Sequence, residues 1–264
     1  MIDKVRNLVV TAAAAGSLAT GAHAQPATSG DQAVRNVVLV HGAFVDGSGW
    51  RGVYDNLATK GYNVHIVQNP LTSFEDDVAA TTRVLDSLGG PTILVGHSWG
   101  GTVITEAGEH PNVAGLVYVS ALAPDAGETT AKQYEPYPPA TEFVIDTGPD
   151  GFGFVRPDKF HSGFAADASE ADAAFMRDSQ VPIAMSAFSV PLKNAAWRTR
   201  PSWAVIAGQD LAFGEGMLRG MAERIGAKIV DIPGSHAAFI TQHGAVADVI
   251  DQAAREVAQA KATP

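Results

Sequence analysis

Val95-Gly96-His97-Ser98-Trp99-Gly100-Gly101 is the stretch on which the reading of this chain turns. It follows an apolar, β-branched run at 92–95 and precedes a helical segment, so the serine stands where a buried strand gives way to a helix. A turn that sharp strains the serine backbone and leaves no space for a Cβ on either flank, a demand that Gly96, Gly100 and Gly101 meet. The Ser98 hydroxyl is thereby lifted off the sheet at a helix N-terminus, where free N–H groups favour developing negative charge. A Gly-x-Ser-x-Gly pentapeptide alone is only suggestive. The strand–turn–helix context makes this one a nucleophile elbow.

Outward from the elbow, short apolar runs alternate with longer amphipathic ones. Strands are expected at 37–40, 64–67, 92–95, 113–119, 203–207 and 228–232, with helices near 50–60, 74–88, 102–110, 215–225 and 245–261. The strand runs lack polar alternation, as expected for strands buried on both faces of a parallel sheet. Ser73 and Asp76 read as a helix cap, and Gly89-Gly90-Pro91 ends that helix. The alternation breaks once, at about 125–200, a proline-rich stretch without a clear buried-strand run that holds seven of the eleven phenylalanines. The expected fold class is therefore α/β: a mostly parallel sheet of about six strands flanked by helices, with a cap inserted between the nucleophile half and the acid/base half. The cap aromatics suit an apolar ligand as a group. For any single ring, packing against the sheet is the simpler explanation.

With 264 residues, 46% of them hydrophobic and 17% charged, the chain buries one sizeable core. The absence of cysteine removes disulfides, thiolate metal sites and a cysteine nucleophile. A net charge of −10 gives no electrostatic reason to approach nucleic acid or an anionic membrane. At the amino end, Lys4 and Arg6 precede an apolar stretch at 8–19 and then Ala22-His23-Ala24, which reads as a signal peptide over 1–24 cut before Gln25. Gly16 and Ser17 interrupt that stretch, which is too short for a membrane span. The expectation is a single mature domain at 25–264, secreted or periplasmic.

A serine hydroxyl is a weak nucleophile, so it needs a base, and the base needs an orienting acid. On this elbow both come later, from loops at the carboxyl ends of later strands. The run at 203–207 leads to Gly208-Gln209-Asp210, and the run at 228–232 to Pro233-Gly234-Ser235-His236. His236 is the expected base, with His243 its positional rival; His41 reads as a structural hydrogen-bonder, and His97 as pointing away from the nucleophile. Asp210 is the expected acid and Asp125 the alternative, although Ala-Pro-Asp-Ala-Gly at 123–127 also explains Asp125 as a turn residue. The tetrahedral oxygen calls for two backbone donors: the Trp99 amide, and the Ala43 amide from the loop His41-Gly42-Ala43-Phe44, with Phe44 the alternative.

These stretches, with Val38-Leu39-Val40 before His41, Pro201-Ser202-Trp203 leading to Asp210, and Ala237 after His236, resemble the α/β-hydrolase superfamily. The resemblance is greatest to small bacterial esterase-like members related to plant methylesterases and hydroxynitrile lyases. It runs from about Val34 to the last helix and is weakest in the cap. It implies a cofactor-free Ser-His-Asp mechanism, with the acid after the strand before the last. A small-molecule ester is the expected substrate, and the lack of cysteine and of an H-E-x-x-H pattern gives no reason to expect a metal. Departures from the pattern are the missing hairpin before Val37 and Leu211-Ala212-Phe213-Gly214 in place of an Ile-Pro-Pro type turn after the acid. Gly47-Ser48-Gly49-Trp50-Arg51-Gly52 fits a dinucleotide fingerprint, but Gln68-Asn69-Pro70 stands where a ribose-binding carboxylate belongs. Two further readings keep the triad: amide hydrolysis, perhydrolysis or cyanohydrin cleavage, and ligand binding with little turnover. Cyanohydrin cleavage in such relatives tends to use an added lysine, and of Lys132, Lys159 and Lys193 in the cap none has a recognisable placement for it.

Overall fold

A computed structural model describes residues 33–138 and 140–262. The signal peptide expected at 1–24 lies outside the described residues. In chain order the strands are β1 (Asn36–Val40), β2 (Asn63–Val67), β3 (Thr92–His97), β4 (Val113–Val119), three short strands β5 (Ile145–Thr147), β6 (Phe152–Val155) and β7 (Ile183–Ala184), then β8 (Ser202–Ala207) and β9 (Lys228–Ile232). The helices are α1 (Arg51–Thr59), α2 (Phe74–Asp86), α3 (Trp99–Ala107), α4 (Pro157–Phe164), α5 (Glu170–Asp178), α6 (Glu215–Arg224), α7 (Ala238–Thr241) and α8 (His243–Ala262).

Six strands form one wholly parallel sheet in the order β2-β1-β3-β4-β8-β9. The chain steps from β1 outward to β2, then back across β1 to β3. Right-handed crossovers put α1 and α2 on opposite faces when the direction of travel reverses, and accordingly α1 packs with α8 while α2 packs with α3. The reversal also opens a crevice at the carboxyl ends of β1 and β3, where Val40 pairs with Gly96. The central strands β1 and β3 are buried throughout. Expectation and structure part at the edges: the runs at 64–67 and 228–232 are expected to be buried on both faces, but Val64, His65 and Ile66 are half-buried and Lys228 and Asp231 exposed, because each strand has a neighbour on one side only.

The helix after the elbow begins at Trp99, three residues before the amphipathic period suggests. Nearly all of α3 is buried, so its first turn has no polar face to announce it. Ser73 caps α2 as expected, its Oγ accepting from the Asp76 amide at 3.0 Å. Between β4 and β8 the insertion holds α4 and α5 and an antiparallel sheet in the order β5-β6-β7. Those strands are two to four residues long, too short for alternation to register in the sequence. The glycines at 47–52 serve packing: a Cβ on Gly49 would come 2.7 Å from the Phe239 ring, and one on Gly52 2.6 Å from His243.

Candidate active site

Ser98 sits at φ 52°, ψ −120°, a backbone strain placed between β3 and α3. The elbow closes because backbones touch where side chains would intrude. A Cβ on Gly96 would come 2.4 Å from the Gly100 carbonyl oxygen, one on Gly100 2.5 Å from that of Val40, and one on Gly101 2.2 Å from that of Leu122. The Ser98 carbonyl accepts from the Gly101 amide at 2.9 Å and the Leu122 amide at 3.2 Å.

β8 and β9 are neighbours, so the loops leaving their carboxyl ends emerge side by side and carry Asp210 and His236. The Ser98 hydroxyl donates to His236 Nε2 at 2.9 Å, and His236 Nδ1–H donates to Asp210 Oδ2 at 2.7 Å. This tautomer follows from the carboxylate, which can only accept. Asp210 Oδ1 accepts from the amides of Ala212 (2.8 Å) and Phe213 (3.0 Å), so Leu211-Ala212-Phe213-Gly214 supports the Asp210 carboxyl with backbone donors. All three residues are buried, Ser98 being 7% exposed and His236 0%.

The loop after β1 reaches the same point. A Cβ on Gly42 would lie 2.8 Å from Ser98 Cβ, so the loop that carries Ala43 and Phe44 is packed against Ser98 at Gly42. Phe44 holds φ 67°, left-handed for a bulky residue. His41 shapes this turn, accepting from the Asn69 amide at Nε2 (2.9 Å) while Nδ1–H donates to the Gly42 carbonyl (2.8 Å). Burial lowers its pKa, which keeps it neutral for that role.

His97 does not simply point away. Its ring lies 4.7 Å from that of His236, and its Nε2–H donates to the His236 carbonyl at 2.9 Å. Burial, and then the neighbouring His236, hold its pKa well below the usual histidine value, so it is a neutral strut behind the His236 ring. Asp125 pairs with Arg198, with Oδ1 2.8 Å from the guanidinium Nε. His243 meets Asn56 through Nδ1 at 3.0 Å. Of the insertion lysines, Lys159 pairs with Glu142, and Lys132 and Lys193 are exposed.

Rings pack around His236: Phe213 at 4.8 Å, Phe164 at 5.0 Å and Phe143 at 6.1 Å from its ring. Phe143 also meets Phe44, and a groove of about 260 Å³ shares the Phe44 wall with Phe175, Met176 and Ile240. Phe188 packs on Trp99 at 5.0 Å, whereas Phe175 is 71% exposed.

Sequence reasoning missed two carboxylates. Asp77, fully buried, accepts from the Trp99 indole Nε1 at 2.7 Å and from the Leu71 amide at 2.8 Å; among the acidic residues opening α2 nothing marks it out. Burial pushes its carboxyl up to about 6. The other is Asp167, between α4 and α5, which meets the hydroxyls of Ser235 and Thr241 on either side of His236.

A sequence model described as the alpha/beta hydrolase family matches residues 37–249. An alpha/beta hydrolase of Aspergillus novofumigatus (strain IBT 16806), nvfD, is 26% identical over 211 residues, 71% of this chain and 83% of that protein. A carbendazim hydrolyzing esterase of Nocardioides sp. (strain SG-4G) is 35% identical over 109 residues, 36% of this chain and 45% of that protein, so the match spans less than half of the esterase. Among solved structures, a pyrethroid hydrolase from Sphingobium faniae JZ-2 superposes with a TM-score of 0.71 at 22% identity, over 84% of this chain and 98% of that one. At that identity the likeness speaks to the fold.

Proposed function

The chain belongs to the alpha/beta hydrolase family, and from that premise we propose that it is a serine hydrolase, cleaving carboxylic esters of small to medium, largely apolar substrates through an acyl-enzyme intermediate. The reading is supported chiefly by the buried row from Ser98 through His236 to Asp210, whose spacings of 2.9 and 2.7 Å suit proton transfer. Ser98 Oγ attacks the ester carbonyl as its proton passes to His236 Nε2, and the imidazolium then protonates the departing alkoxide. Asp210 keeps the Nδ1–H tautomer in place and stabilises the imidazolium without taking its proton. The Trp99 and Ala43 amides are assigned to the tetrahedral oxygen, with the Phe44 amide the alternative on the same loop. Water repeats the sequence on the acyl-enzyme. The ring wall of Phe44, Phe143 and Phe213 supports an apolar substrate, and the esterase activity named for the Nocardioides relative supports an ester.

Two measurements on purified protein test this. A phosphonate ester probe should label Ser98, located by peptide mapping, and p-nitrophenyl esters from C2 to C12 should be hydrolysed by the wild type but not by Ser98→Ala beyond a small residue. A label on another residue, or a Ser98→Ala variant as active as the wild type, overturns the assignment.

A further inference from the structure

His236 is held at three points. Its ring is bonded to Asp210, its carbonyl to His97, and the residues on either side of it to one corner of the insertion. That corner is the end of α4 and the turn into α5. The Phe164 carbonyl accepts from the Ala237 amide at 3.0 Å, and the Phe164 ring meets the His236 ring edge-on. Three residues on, Asp167 Oδ1 accepts from the Ser235 hydroxyl and Oδ2 from the Thr241 hydroxyl at 2.5 Å. The chain between those hydroxyls carries the base. Its entry is Gly234 at φ 118°, where an added Cβ would come 2.9 Å from Asp167 Oδ2, so the carboxylate also lies against the loop at Gly234.

The chemistry of the corner favours a fixed loop over incidental packing. The Ser235 residue is 1% exposed, so its hydroxyl has little access to water as an alternative acceptor. Partial burial pushes the Asp167 carboxyl up, but hydrogen bonds from Ser235 and Thr241 outweigh it and leave the group below its ordinary value, hence ionised and able only to accept. Each hydroxyl-to-carboxylate bond is charge-assisted. A general base needs its imidazole held to within a fraction of an ångström of the nucleophile, and His236 is on a loop, where such precision has to be supplied by neighbours.

We infer that Asp167, carried by the insertion, is a positioning residue for His236: through the Ser235 and Thr241 hydroxyls it fixes the loop that aims the imidazole at Ser98. The α4–α5 corner thus belongs to the mount of the base and stays seated on it during turnover. The inference rests on the serine-hydrolase reading, and its test has an arm that needs no substrate.

In Asp167→Ala, kcat on p-nitrophenyl butyrate should fall about tenfold while KM changes less than about twofold, since a misaimed base costs the chemical step and not binding. Asp167→Asn, which retains one acceptor, should recover most of that loss. Without substrate, the low-field proton resonance of the His236–Asp210 hydrogen bond, assigned by its disappearance in Asp210→Asn, should broaden in Asp167→Ala. Hydrogen exchange should quicken at 234–241 and leave the central strands unchanged. Should Asp167→Ala fold poorly, Ser235→Ala, which removes one of the two bonds, should show the same pattern at about threefold in kcat. An unbroadened low-field line with unaltered exchange at 234–241 in Asp167→Ala overturns the inference, as does a kcat equal to that of the wild type. If the wild type cleaves no ester, the serine-hydrolase reading falls, while the resonance and the exchange still decide whether Asp167 positions His236.

Discussion

Asp77 is fully buried, and among the described residues no cation pairs with it; its two donors are the Trp99 indole and the Leu71 amide. Burial outweighs those bonds and raises its pKa from 3.8 to about 6. The sign follows from linkage: the stabilisation given by the protonated form is present in full below 3.8 and is lost as pH rises through about 6. Two units correspond to roughly 2–3 kcal/mol, as an order of magnitude. Urea unfolding of wild type and Asp77→Asn at pH 5 and pH 8 should therefore show the variant losing more stability at the lower pH. An equal loss at both would mean that the carboxyl does not titrate in this range. Asp210→Asn leaves Nδ1–H of His236 without its carboxylate and should lower kcat at least about 10²-fold, whereas Asp125→Asn should stay within a few-fold of wild type. The reverse ranking would move the acid to the loop after β4.

At the scale of the element, the elbow is defined by atoms its glycines do not have. A Cβ on Gly100 would stand 2.5 Å from the Val40 carbonyl oxygen and 2.9 Å from that of His41, and backbone on both sides cannot give way as a side-chain tip can. Gly100→Ala should cost at least about 1–3 kcal/mol by overpacking and weaken ester turnover with it. Gly216, in α6, has no atom within 4 Å of an added Cβ, so Gly216→Ala should gain about 0.5–1 kcal/mol from helix propensity. Urea midpoints of the two variants check the contrast, and a Gly100→Ala protein as stable as wild type would contradict the close packing. The strands were legible for a related reason. The expected bounds 113–119 and 228–232 coincide with β4 and β9, because β-branched runs between turn residues leave little choice of element. The short strands β5, β6 and β7 escaped notice, being made by pairing with one another rather than by any local pattern.

For the molecule as a whole, the sheet's connectivity assembles the site. The switch of direction after β2 brings the ends of β1 and β3 together, and the late strands β8 and β9 bring Asp210 and His236 alongside. A net charge of −10 suits small uncharged substrates better than polyanions. We also propose that the protein is exported, with residues 1–24 removed on the way. Material recovered from the medium or periplasm should begin at Gln25 by amino-terminal sequencing, and an intact Met1 there would refute cleavage.

Composition, apolar runs and the glycines around Ser98 determined the α/β class, the place of the elbow and the loop that carries His236, since these depend on interactions between residues close in the chain. Only the tertiary structure decided which carboxylate meets His236: Asp210 and Asp125 each follow a strand, and the difference is that β8 lies beside β9 while Asp125 is engaged by Arg198. The roles of His97, Asp77 and Asp167 were likewise out of reach. Each acts on a partner 22 to 139 positions away, and a hydrogen bond across that separation leaves no local signature in the order of the residues.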